Sequence, residues 1–186
     1  MSNLLRAEAR QSGRTYRLQP VQLEVLHYLA ICNRYSNTPL AITEYLGLTR
    51  GTVSQTLMVL HNKGLVSKQT DEKDKRVVHL SLTAQGRKLV EKAVPAALLQ
   101  AACARLSGRE QTMLIEAMNK LLLACQQANQ MSSFGVCSTC RHNQRTADGG
   151  YFCGLTQEPL SADDVVLICR EHAYVKVGGT TRLRGA

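Results

Sequence analysis

The chain has no apolar run long enough for the core of a signal peptide or for a membrane span. It has no tryptophan, and it has no long basic amphipathic helix with an aromatic face. These absences argue against a secreted or membrane-bound protein and lead us to expect a cytoplasmic one. Also missing are a nucleotide-binding glycine loop, a Gly-x-Ser-x-Gly elbow and a His-Glu-x-x-His pair. An enzyme is therefore not expected. There are no internal repeats.

What the chain does have is positive charge. Over 186 residues the net charge is +9. Residues 50–88 hold eight Lys/Arg against three Asp/Glu, so much of the excess is local. A basic surface of this kind implies a polyanion partner. The length allows one good-sized domain with a small appendage, large enough to bury a core without staples.

The basic stretch is also the most patterned one. Thr49 is a good N-cap, and Val53, Leu57 and Leu60 recur at i, i+4 and i+7, one helical stripe. Gly64 suits a left-handed C-terminal cap. Val66–Thr70 and Val77–Leu82 are rich in β-formers and flank the charged run 71–75, which predicts a hairpin. The exposed helix face carries Arg50, Gly51, Thr52, Ser54 and Gln55. Short hydrogen-bonding side chains with one arginine suit a helix lying in a DNA major groove. Upstream, Thr38 can cap a helix with Pro39 at its first position, and Gly47 falls where a tight interhelical turn belongs. Helix, turn, helix and wing follow in order.

On these residues the chain resembles the MarR family of winged helix-turn-helix regulators, over about residues 15–130. The family's Asp-x-Arg-Asp-x-Arg wing is matched by Asp71, Asp74 and Arg76, with Lys73 at the first arginine. Leu82-Thr83-Ala84-Gln85-Gly86 matches its Leu-Thr-x-x-Gly. The resemblance implies a homodimer joined by the terminal helices and bound to a double-stranded operator. A small-molecule effector is possible on the same ground. It also implies that Arg76 enters the minor groove. Arg50, Thr52, Ser54 and Gln55 are then the base-edge candidates. Lys63, Lys68, Lys73 and Lys75 are phosphate contacts, which add affinity without sequence information.

The remaining helices read as follows. Residues 2–14 form a short charged helix. A second runs from Leu18–Gln22 to about Asn33 with Leu23, Leu26, Leu29 and Ala30 as its apolar face. After the wing, Thr83 caps a long helix through Val94, kinked at Pro95. Ser107 and Glu110 form a capping box for a last helix to about Ala128. Met113, Leu114, Ala117, Met118, Leu121 and Leu122 give that helix a broad apolar face for a second chain. Residues 126–133 are a polar hinge. The fold class expected is mainly α with a small β-wing.

Cysteine is the other abundance. Seven in a cytoplasmic chain argue against a disulfide framework. Cys32, Cys103 and Cys125 read as small buried hydrophobes within helices. Cys137, Cys140, Cys153 and Cys169 crowd into 33 residues as Cys-x2-Cys-x12-Cys-x15-Cys. About forty residues build no sufficient core alone, so a metal staple is physically sensible. Four thiolates with one Cys-x2-Cys pair suit an iron–sulfur cluster, and the ligand order resembles that of high-potential iron–sulfur proteins. A [4Fe-4S] cluster is favoured. Zinc on Cys137, Cys140, Cys169 and His172 is the alternative. His142 reads as a surface residue.

The organisation expected is a DNA-binding and dimerisation domain over 1–130, a metal module over 131–172 and a flexible tail over 173–186. The function expected is a regulator, as a repressor, tuned by the module. A redox or electron-transfer protein that uses the fold as scaffold is the rival reading.

Overall fold

The structure is a computed structural model and describes residues 2–72, 74–94, 97–128 and 134–174. Lys73, Pro95, the hinge residues 129–133 and the tail from 175 lie outside them. The chain separates into two compact units, Met1–Ser132 and Ser133–Ala186.

In the first unit, α1 (Ser2–Tyr16) precedes α2 (Pro20–Ile31), which is the centre of the core. Leu23 and Leu26 are buried there as the periodicity predicts. Leu29 and Ala30 are only half-buried, while Val25 and Tyr28 are fully buried. This helix is covered by the helices Pro39–Leu46, Arg50–Asn62 and Ala84–Ala93 and by the strand Val78–Leu82, so a single apolar stripe under-describes it. The Tyr28 hydroxyl donates to the Ser36 carbonyl at 2.7 Å, which removes the cost of burying it.

Next come α3 (Pro39–Leu46), α4 (Arg50–Asn62), β1 (Val66–Thr70) and β2 (Val78–Leu82). The Thr38 hydroxyl accepts from the Ala41 N–H, and Pro39 opens α3. Gly47 ends α3 in the left-handed region at φ 63°, which lets the chain turn at once into α4. Leu26, Ile42, Leu60 and Leu80 are fully buried where α2, α3, α4 and β2 pack together. Each is worth about 1.5–3 kcal/mol of transfer free energy. The hairpin is antiparallel, with Val66 opposite Leu82 and Thr70 opposite Val78.

The segment after the wing explains its own sequence pattern. The Thr83 hydroxyl accepts from the Gly86 N–H to open α5 (Ala84–Ala93) and donates to the Gly64 carbonyl at 2.7 Å. A Cβ on Gly86 would lie 2.2 Å from the Leu65 carbonyl oxygen. Only glycine lets α5 approach the Leu65 backbone, just before β1, this closely.

The long helix expected beyond it is broken, not kinked. Val94 is extended (φ −135°, ψ 136°), as the residue before a proline prefers, and α5 stops at Ala93. A separate α6 (Ala97–Cys103) follows, then α7 (Gly108–Ala128). The capping box opens α7: Glu110 accepts from the Ser107 N–H, and the Glu110 N–H donates to the Ser107 hydroxyl. Among the described residues no helix is long and apolar enough to cross a membrane.

The second unit is made of short strands. β3 (Gly135–Val136) pairs with β7 (Ile168–Cys169), and β4 (Asn143–Arg145), β5 (Tyr151–Cys153) and β6 (Glu158–Leu160) form a three-stranded sheet in that order. Phe134, Leu160 and Val165 are its buried apolar side chains, a small core for its length.

Candidate nucleic-acid interface and cysteine centre

α4 is anchored by one face and open on the other. Val53, Thr56, Leu57 and Leu60 are buried. Arg50, Thr52, Ser54 and Gln55 are all exposed. The Thr49 hydroxyl accepts from the Thr52 N–H at 3.2 Å and lies 2.9 Å from the Thr52 hydroxyl. The cap therefore also orients one of the base-edge candidates. Sequence reasoning missed Met58, which is 54% exposed on this face. It follows Ser54 by one turn and stands outside the 53/57/60 stripe, and that was its only signal.

The wing is ordered by carboxylates. Asp71 Oδ1 accepts from the Asp74 N–H at 2.7 Å, and Val77 N–H closes back on the Asp74 carbonyl. Arg76 grips Asp74 bidentately with one edge of its guanidinium, Nε to Oδ1 at 3.0 Å and Nη2 to Oδ2 at 2.9 Å. This pair holds the Asp74 carboxyl below its usual range. The Arg76 side chain is 91% exposed, so Asp74 steers it without covering it. At the wing's base His79 lies between Asn37 Oδ1 (2.6 Å) and Asp71 Oδ2 (3.1 Å). Leu80 N–H also donates to the Asn37 carbonyl, so the hairpin is tied to the loop before α3.

The expected phosphate contacts divide. Lys68 and Lys75 are exposed on β1 and the wing. Lys63 sits at the end of α4 and donates to the Arg17 carbonyl at 3.0 Å. Lys73 lies outside the described residues.

In the second unit the two strand ladders deliver the cysteines. The turn Cys137–Thr139 and Cys140 form a knuckle. On one side β3–β7 places Cys169 opposite Gly135, two residues before Cys137. On the other, β4–β5 places Cys153 opposite Asn143, three residues after Cys140. Burial pushes the Cys137 thiol up to about 11, and the nearby Cys169, Cys140 and Cys153 add to it. Cys137 is buried and the other three are half-exposed. Two N–H donors point at sulfur: Ala173 N–H to Cys140 at 3.4 Å, and the Asn143 amide to Cys137 at 3.8 Å.

His172 is buried beside them. Its Nε2 lies 3.0 Å from the Thr139 hydroxyl and its ring meets Tyr174 edge-on. A Cβ on Gly135 would lie 2.6 Å from the His172 ring, so Gly135 makes room for it. Burial lowers the His172 pKa. Among the described residues no three His, Cys, Asp or Glu side chains close on a single-ion position. His142, expected at the surface, is half-buried. Of the scattered cysteines, Cys32 is buried and its thiol is pushed up to about 12. Cys103 and Cys125 are exposed, contrary to expectation, because α6 and α7 are not covered within one chain.

The helix-turn-helix and its tethered hairpin define a winged helix domain of the kind found in transcriptional regulators. Residues 10–93 match the family described as transcriptional regulator SarA/Rot. The organic hydroperoxide resistance transcriptional regulator of Bacillus subtilis is 31% identical over 133 residues, 68% of this chain and 89% of that protein. The transcriptional regulator HosA of Escherichia coli O111:H- is 31% identical over 97 residues, 51% of this chain and 72% of HosA. The S. aureus MepR–DNA complex superposes with a TM-score of 0.54 at 27% identity, covering 66% of this chain and 91% of MepR. The chain belongs to the SarA/Rot family of MarR-like winged-helix transcriptional regulators. These relatives are regulators and not enzymes.

Proposed function

We propose that this chain is a DNA-binding repressor that reads a pseudo-palindromic operator as a homodimer. The observation that carries the reading is α4: Arg50, Thr52, Ser54 and Gln55 are exposed while the opposite face is locked into the core. Arg76, steered by Asp74, reaches for the minor groove, and Lys68, Lys73 and Lys75 hold phosphates. MepR, solved with DNA, is a relative of the same fold and supports the assignment. Met113, Ile115, Met118 and Leu121 of α7 are each more than half exposed in one chain, a face that a second copy would bury. Arg50→Ala is expected to cost about 1–3 kcal/mol at the cognate operator, and Lys68→Ala to weaken all sequences alike. Competition binding against random duplex checks both. Equal losses for both variants on both duplexes would remove Arg50 from the base contacts.

The same reading gives Cys137, Cys140, Cys153 and Cys169 a [4Fe-4S] cluster. The Cys169, Cys140 and Cys153 thiols lie near enough to Cys137 to push its pKa up, which supports one centre shared by all four. His172 Nε2 is held by the Thr139 hydroxyl at 3.0 Å, so the zinc alternative would have to use Nδ1. When bound, such a cluster supplies one-electron redox chemistry and sensitivity to oxidants. The residues present would hold it by four thiolates, with the Ala173 N–H and the Asn143 amide offsetting sulfur charge. Anaerobic purification with an absorption spectrum and metal analysis tests this. Four irons per chain are expected, and one zinc with no iron would return the site to the zinc reading.

A further inference from the structure

The corner between α1 and α2 carries four cations, of which only Lys63 is among the expected operator contacts. Arg10 and Arg14 of α1, Arg17 of the connecting loop and Lys63 at the end of α4 surround a cleft of about 460 Å³. Leu18 and Pro20 contribute apolar surface to it, and none of its lining residues is acidic.

The corner is built, not loose. Leu18 N–H donates to the Gly13 carbonyl at 2.8 Å and Arg17 N–H to the Arg14 carbonyl at 3.2 Å, which closes α1 as a Schellman motif. That motif wants glycine at its left-handed position, yet Arg17 occupies it at φ 54°. A Cβ on Gly13 would lie 2.5 Å from the Leu18 carbonyl oxygen, so the two backbones touch there. The Lys63 ammonium donates to the Arg17 carbonyl. The positive end of the α2 dipole faces this corner, and the first turn of α2 holds no acidic residue.

Four cations with no carboxylate among them repel one another, and a group with two or more negative charges relieves that repulsion. Guanidinium forks match phosphoryl and carboxylate oxygens. We propose that this cleft binds a small, multiply charged anion, phosphoryl or polycarboxylate, that ties α1 to the end of α4. The site lies apart from the exposed face of α4 and its existence does not depend on the operator reading.

Calorimetric titration of the full-length protein at fixed ionic strength tests it, with inorganic pyrophosphate in one arm and citrate in the other. Saturable binding of one anion per chain is expected, and the arm that binds tells which chemistry is taken. Arg14→Gln and Arg17→Gly are each expected to weaken that binding at least tenfold. Arg17→Gly gives the left-handed position the residue it favours, so unchanged or higher thermal stability would exclude unfolding as the cause. No saturable heat in either arm, or undiminished binding by both variants, overturns the proposal. So does a third pattern: no small anion bound, while both variants weaken random duplex binding and flatten its salt dependence. The corner would then be a phosphate-contacting face for DNA.

Discussion

At the scale of the residue, the tightest constraints are glycines that no alternation or stripe announces. Gly86→Ala would place a methyl 2.2 Å from the Leu65 carbonyl oxygen. The backbone at Leu65, just before β1, has to move to admit it, so a loss of about 1–3 kcal/mol is expected, with urea unfolding as the measurement. The comparison variant Gly51→Ala meets only Thr49 Oγ1 at 3.9 Å, an ordinary contact, and should be neutral or slightly stabilising. The caps at Thr38, Thr49, Thr83 and Ser107 were legible because a hydroxyl before a helical stripe has one efficient use, and each accepts the expected N–H. Met58 was not legible, because an apolar residue off the stripe reads as noise until the helix is docked. His79 escaped for a different reason. Its role comes from Asn37, 42 positions away, which no local pattern reveals. His79→Ala should loosen the wing and lower operator affinity without changing the affinity ranking of mutated operators. A changed ranking would instead make His79 a base-reading residue.

At the scale of the element, α7 is a helix whose length and start were readable and whose surroundings were not. Its capping box follows directly from Ser107 and Glu110, three residues apart. The Ser107 hydroxyl and N–H hold the Glu110 carboxyl below its ordinary value of 4.5. A carboxyl lowered on folding adds stability that is complete above its unfolded value and is lost as pH falls through the folded one. The first turn of α7 should therefore begin to fray only as pH falls below 4.5, and not near neutrality. Hydrogen exchange of its amides should show that step, and Glu110→Gln should remove it. A step that persists in Glu110→Gln would place its cause elsewhere. The exposed face of the same helix leads to a second expectation. Leu121→Glu puts a charge into the proposed dimer seam and should yield monomers by light scattering at micromolar protein. A variant that stays dimeric would move the seam off α7. The sequence predicts a kink at Pro95, because a proline removes one hydrogen bond. Whether the chain bends or stops is decided by the residue before it, and Val94 is extended.

At the scale of the whole molecule, the two units are joined by one covalent path, α7 and the residues that follow it. A centre that folds some forty residues has its binding free energy coupled to their order. If loss of the centre changes the module, α7, the proposed dimer helix that precedes it in the chain, is the element first exposed to the change. Two recognition helices must meet half-sites about one helical turn apart, so a small change in their separation weakens both contacts together. A tenfold change in operator affinity needs a difference of only about 1.4 kcal/mol between the loaded and unloaded forms. Cys153→Ser isolates this coupling. Cys153 lies in β5 opposite Asn143, and that pairing is made by backbone, so serine keeps the ladder and removes only the sulfur. Chain numbering gave the four cysteines but not this arrangement, which comes from two strand registers converging on one knuckle. We expect the Cys153→Ser protein to remain a dimer, to lose iron, and to bind its operator at least tenfold differently from the loaded wild type. Full iron content with wild-type affinity would sink the four-cysteine centre and favour zinc with His172. Lost iron with unchanged affinity would leave the cluster as a staple only, and the regulator would take its signal elsewhere.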